Sequence, residues 1–152
     1  MRILLVCLGN ICRSPLAEGI LRHKATRRNL DWQIESAGTG DWHVGQAPDP
    51  RSVATARRNG IDISNQRGRH FQPLDFERFD KILVMDSDNR KDVLRRAKTD
   101  AHRAKVERML DYSHPGQDRS VPDPYFGGEE GFEAVFVLLD MACESFLDHT
   151  LS

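Results

Sequence analysis

No stretch of this sequence approaches the eighteen or so consecutive apolar residues that a membrane-spanning helix needs, so insertion into a membrane is not expected. Charge of one sign is missing too. Lysine and arginine number 22 against 23 aspartates and glutamates, a net charge of -1 at pH 7. That leaves no global attraction to nucleic acid or anionic lipid. Cysteine is scarce and odd in number, three in 152 residues. This argues against a disulfide-stapled secreted scaffold and for free thiols in a reducing, cytoplasmic setting. Repeats, linkers and low-complexity tracts are also lacking. What remains, 39% hydrophobic and 30% charged residues, is the make-up of a soluble globular chain. Its length suits one domain over residues 1–152. The basic stretch from Arg90 to Arg108 reads as a solvated helix face.

The apolar start, Met1 to Cys7, begins like a secretion leader but stops at Gly9-Asn10. A strand buried on both faces explains Ile3 to Val6 better. Ser14-Pro15 then reads as a helix cap followed by a favoured first-turn proline, with Leu16, Ile20 and Leu21 at helical spacing out to about Arg28. Trp32 to Ala37 reads as a second strand. Pro50 to Asn59 reads as a helix stopped by Gly60. Lys81 to Met85 is a further buried strand, and Asp86-Ser87 caps a helix from about Asp88 to Ala97. Val106 to Leu110 gives a weak fourth strand signal. A long Pro- and Gly-rich loop spans Asp111 to Gly131, and Phe132 to Leu147 closes as an amphipathic helix. Strands alternating with helices predict an α/β fold with a parallel sheet covered on both faces. Ligands in such folds bind beyond the carboxyl ends of the strands.

The first of those strand ends carries the chemistry. Cys7-Leu8-Gly9-Asn10-Ile11-Cys12-Arg13-Ser14 joins a buried strand to a helix start. Such a loop can curl its backbone N–H groups inward as a nest, with the helix dipole behind it, and bind a tetrahedral dianion. Arg13 is placed to grip two phosphate oxygens with its planar fork. The same positive surroundings favour a thiolate at Cys7, which makes it the candidate nucleophile. Ser14 either caps the helix or also hydrogen-bonds the thiolate. Asn10 either tolerates a left-handed turn or shapes the loop through its side chain. Cys12 is either a packing residue or a thiol that traps an oxidised Cys7 as a disulfide, a redox-sensitive pair.

Hydrolysis of a phosphate ester also needs a proton donor for the leaving oxygen. Asp123, stiffened between Pro122 and Pro124, is the candidate. Tyr125 and Phe126 follow it, and with Trp42, Leu8 and Ile11 they offer apolar walls for a flat ring. No His, Cys, Asp and Glu cluster has zinc spacing around these residues.

With these motifs in hand, the chain resembles the low-molecular-weight protein tyrosine phosphatases over nearly its whole length. Cys7 to Pro15 is similar to that family's signature loop. Ser36-Ala37-Gly38-Thr39, Asp41-Trp42 with Val44-Gly45, Val84-Met85-Asp86 and Asp123-Pro124-Tyr125 match further blocks. The resemblance implies a four-stranded parallel sheet with helices on both sides, a covalent phosphocysteine intermediate, no metal or cofactor, and tyrosine-phosphorylated proteins as partners. It implies Cys7 as nucleophile, Arg13 as clamp, Ser14 as partner of the thiolate and Asp123 as acid. Asp86 organises the loop or caps the next helix. Three positions depart from the family's pattern. Phe126 replaces a frequent second tyrosine, and Gln66 stands where histidine is common. Ile11 stands where a related arginine phosphatase subgroup carries threonine.

Two other functions fit parts of the pattern. An arsenate reductase-like enzyme needs relay cysteines near the loop, and only Cys143, in the last helix, lies outside it. A non-catalytic phosphotyrosine-binding module would have no use for Asp123.

Overall fold

The computed structural model describes residues 1–152. Four strands, β1 (Arg2–Cys7), β2 (Gln33–Gly38), β3 (Lys81–Val84) and β4 (Val106–Arg108), form one parallel sheet in the order β2-β1-β3-β4. Six helices connect or follow them: α1 (Arg13–Arg27), α2 (Pro50–Arg58), α3 (Asp75–Arg78), α4 (Ser87–Leu94), α5 (Asp100–Ala104) and α6 (Glu129–Leu151). No helix is long and apolar enough to cross a membrane.

The branched run of β1 is buried because both faces of the sheet are covered. Ile3 and Leu5 point into one cluster with Leu16, Ile20, Leu139 and Phe146 of α1 and α6. Leu4 and Val6 point into the other, with Phe71, Phe76, Phe79 and Val93. The period of two along the strand thus serves two cores at once. Phe71, Phe76 and Phe79 are all but inaccessible, and each contributes about 1.5–3 kcal/mol by leaving water. The strand order reverses between β1 and β3, which opens a crevice at their carboxyl ends. The loops there are those after Cys7 and Val84.

Several expected boundaries shift. The first helix begins at Arg13, with Cys12 in the cap position and no side-chain cap. Ser14 is therefore inside the helix, and its hydroxyl is engaged elsewhere. The α4 helix ends at Leu94, short of Ala97, whereas α6 extends past both of its expected ends. Phe132, Val135, Phe136, Leu139 and Phe146 are all buried, as their spacing predicts. Gly60, at φ 78°, stops α2 as expected. The short helices α3 and α5 lie in segments where no element was expected.

Candidate active site

The phosphate loop runs from the end of β1 to the start of α1. Asn10 turns it by adopting φ 56°. Its backbone N–H donates to Cys7 Sγ at 3.3 Å, and Ser14 Oγ lies 3.0 Å from the same sulfur. The Asn10 side chain does more than tolerate the turn. Its Nδ2 donates to Ser14 Oγ at 2.7 Å and to Ser36 Oγ at 2.9 Å, while its Oδ1 accepts from Arg69 N at 3.0 Å. Ser36 Oγ in turn donates to Glu18 Oε1 at 2.8 Å. Burial raises the Glu18 carboxyl above its ordinary value against the opposing pull of Ser36 and Arg22. The amides of Leu8, Gly9, Ile11, Cys12 and Arg13 donate to no protein atom. Such a row of free donors at a helix start suits an anion.

Gly38 closes the near side. Its backbone passes so close to the loop that an added Cβ would stand 2.8 Å from Leu8 O. Thr39 N and Gly40 N then donate to Cys7 O and Leu8 O.

Arg13 is 3% exposed and its charge is fully paired, as a buried guanidinium requires. Nη1 donates to Asp86 Oδ2 at 2.7 Å and to Val121 O at 3.0 Å, and Nη2 stands 3.7 Å from Asp123 Oδ2. Burial opposes the cation, but Cys7, Asp86 and Asp123 outweigh it and raise its ordinary value. Asp86 fills both expected roles, since its Oδ1 also caps α4 by accepting from Asn89 N at 2.7 Å.

Asp123 is partly exposed, and its Oδ1 accepts from Tyr125 N at 3.0 Å. It opens on a slot of about 150 Å³ shared with Cys7, Arg13, Leu8, Ile11, Trp42 and Tyr125. Larger grooves, such as one of about 490 Å³ between α1 and residues 60–66, are open and polar and hold no nucleophile. Phe126 reaches the slot only as a rim residue, 93% exposed, with its ring edge-on to Tyr125. His43 also lines the slot and was not expected there. Its place beside Trp42 is the only signal in the sequence.

The other two cysteines are buried as well. Cys12 packs with Ile11 and Phe132, and burial, aided by Asp49, pushes its thiol up to about 12. Cys143 is fully buried between α1 and α6, with burial pushing its thiol up as well. All three thiols are free. No group of three or more His, Cys, Asp and Glu side chains is arranged to hold a metal ion. Gln66, in the place of the common histidine, donates to Pro15 O at 3.0 Å.

The family described as low molecular weight phosphotyrosine protein phosphatase matches residues 2–152. A low molecular weight phosphotyrosine protein phosphatase of Schizosaccharomyces pombe is 41% identical over 97% of this chain and 95% of its own length. A protein tyrosine phosphatase structure from Entamoeba histolytica superposes with a TM-score of 0.93 at 36% identity, covering 99% of this chain and 97% of that one. A Drosophila arginine phosphatase structure gives the same TM-score at 37% identity, covering 100% and 99%.

Proposed function

The chain belongs to the low molecular weight phosphotyrosine protein phosphatases, and we propose that within this family it works through Cys7, Arg13 and Asp123. It is a phosphoric monoester hydrolase acting on phosphotyrosine in proteins. The observation that carries the residue assignment is convergence. One buried sulfur, one buried fork of guanidinium donors and one partly exposed carboxylate meet at a slot of about 150 Å³.

The cup of free amides and Arg13 binds the phosphate dianion over Cys7. The thiolate attacks phosphorus in line, forming the S–P bond as the P–O bond breaks, and Asp123 gives its proton to the leaving phenolate. Asp123, now a carboxylate, takes a proton from water as that water attacks the phosphocysteine. Phosphate leaves and the thiolate returns. Charge spreads over the equatorial oxygens in both transition states, where the fixed donors act without reorganising. Phosphotyrosine reaches the floor of the slot, and its ring lies between Leu8, Ile11, Trp42 and Tyr125. Phosphoserine is too short and has no ring to pack. Apolar Ile11 favours phosphotyrosine over phosphoarginine, whose guanidinium wants a polar wall. Residues 1–152 act as one phosphatase domain, and the three free thiols suit the cytoplasm.

The test is rapid-quench capture of a phosphorylated Cys7 peptide during turnover of an aryl phosphate. We expect the peptide in the wild type, its loss with all activity in Cys7→Ser, and full activity with EDTA. A chelator-sensitive activity restored by a divalent ion would sink the assignment.

A further inference from the structure

The segment carrying Asp123 has two polar ties to the rest of the protein between Pro122 and Gly128. One is Arg13, facing Asp123 at 3.7 Å. The other is Arg51, in the first turn of α2. Its Nη1 donates to Gly127 O at 3.3 Å. Its guanidinium lies over the ring of Tyr125, 5.4 Å from the centroid, and over Phe132 of α6 at 4.6 Å.

The far side of the same guanidinium is fixed. Nε donates to Asp49 Oδ1 at 3.0 Å and Nη2 to Asp49 Oδ2 at 2.9 Å, a fork on a fork. Asp49 is 8% exposed, and its own N–H donates to Ile11 O at 2.8 Å, inside the phosphate loop. A cation in a first helical turn opposes the helix dipole, and what α2 gains from Arg51 is a hold on its own cap, Asp49. What Arg51 does is tie two loops together: one side of its plane reaches the loop of the nucleophile, the other the loop of the acid.

We propose that Arg51 is a positioning residue that sets the height of Asp123 above Cys7. This rests on Asp123 being the general acid. Arg13 holds the start of the acid's segment through Val121 O, and Pro122 and Pro124 stiffen it; Arg51 holds its far end at Gly127 and refers that end to the cup through Asp49 and Ile11. Arg51 does not line the slot and does not touch the substrate. A donor must stand within about 2.6–3.2 Å of the leaving oxygen, and a displacement of about 1 Å can cost roughly 100-fold.

The experiment compares kcat/KM on phenyl phosphate and p-nitrophenyl phosphate for the wild type, Arg51→Ala, Arg51→Lys, Asp123→Ala and the Asp123→Ala/Arg51→Ala pair. Phenolate needs the proton and nitrophenolate needs it less. Arg51→Ala should lose roughly 10- to 100-fold on phenyl phosphate and clearly less on p-nitrophenyl phosphate. Inhibition by inorganic phosphate should stay near the wild-type value, which reports a folded cup. Arg51→Lys keeps a cation over the rings without the fork to Asp49 and should fall between. Where Arg51→Ala no longer binds phosphate, Arg51→Lys decides. The double variant should match Asp123→Ala. Equal losses on both substrates, or a full further loss in the double variant, would overturn the proposal. If Asp123→Ala depends on the leaving group and the Arg51 variants do not, the positioning role alone falls. If Asp123→Ala shows no such dependence, the acid assignment falls and this inference falls with it.

Discussion

The hydroxyl of Ser14 directs its proton at the sulfur of Cys7. The direction follows from Asn10. Arg69 N donates to Asn10 Oδ1 and so fixes which way the amide faces. Both Nδ2 hydrogens are then spent on Ser14 and Ser36. Ser14 Oγ accepts one of them, and a Cys7 thiolate can only accept, so the serine's own proton goes to the sulfur at 3.0 Å. A hydrogen bond to a charged group is worth about 1.5–3 kcal/mol. We expect Ser14→Ala to lower kcat roughly 10- to 100-fold, and Asn10→Ala to do at least as much because it unsets both serines. Steady-state kinetics on p-nitrophenyl phosphate, with phosphate inhibition as a check on the cup, measures this. Wild-type kcat in Ser14→Ala would leave the serine as packing.

A second expectation concerns the mouth of the slot. The Trp42 ring covers Gly40 so closely that any Cβ there would overlap its six-membered ring. The ring is the part that can yield. Gly40→Ala should therefore swing Trp42 away from the slot and raise KM for phosphotyrosine peptides roughly 2- to 10-fold, the worth of an aromatic contact. Inhibition by inorganic phosphate should hardly change, since the cup lies below. A parallel change in both would mean that the loop, not the wall, had moved.

Oxidation gives a third. Cys12 lies in the same curled loop as Cys7, and its thiol is pushed up to about 12, first by burial and then by Asp49. A sulfenic acid formed at Cys7 by peroxide needs a thiolate to trap it as a disulfide. At neutral pH Cys12 offers little thiolate, so trapping should be slow and should quicken as pH rises. The readout is the share of starting activity regained with a thiol reductant after peroxide, for the wild type and Cys12→Ser. We expect the wild type to regain more, and a Cys7–Cys12 linked peptide to accumulate faster at pH 9 than at pH 7. Equal recovery would assign Cys12 to packing with Ile11 and Phe132.

The fourth concerns stability. Glu18 is raised above its ordinary 4.5 mainly by burial. The folded chain thus holds a proton there that the unfolded chain has released. Between 4.5 and the folded value, unfolding gives up a proton, so stability should fall as pH rises through that window. Asp49 and Glu144 are lowered by their arginine and lysine partners. Their contribution is full above the unfolded value and is lost only as pH falls below it, so the two effects separate. Urea midpoints measured across pH should decline above 4.5 in the wild type and flatten in Glu18→Gln. An unchanged decline would exclude Glu18 as its source.

The strands were legible because β1 and β3 are short branched runs with no polar face, and α6 because its phenylalanines repeat at helical spacing. That Cys7 and Arg13 share one site was legible because both lie within one loop. Ser14 misled because Ser-Pro is a common helix opening. Here the loop turns tightly at Asn10, the helix starts at Arg13, and Pro15 still falls within the first turn, where its missing N–H costs nothing. The helices α3 and α5 have four and five residues and no periodicity to read. Buried Asp75, paired with Arg69 and Arg78, holds α3 in place, and Thr99 caps α5. The chain of Asn10, Ser36 and Glu18, like the bridge from Arg51 to Tyr125, joins residues far apart in sequence. Only tertiary structure brings them together.

The first strand of the chain is the second in the sheet, and the last helix covers one of its faces. During synthesis, Ile3 and Leu5 emerge first, yet Leu139 and Phe146, which shield them, emerge last. Until α6 leaves the ribosome, that side of the sheet is only partly covered, by α1. The loop after Cys7 waits too, because Asn10 is held by Arg69, Ile11 by Asp49, and Arg13 by Asp86 and Val121. Apolar surface left open for most of synthesis is the kind that sticks to neighbours and that chaperones shield.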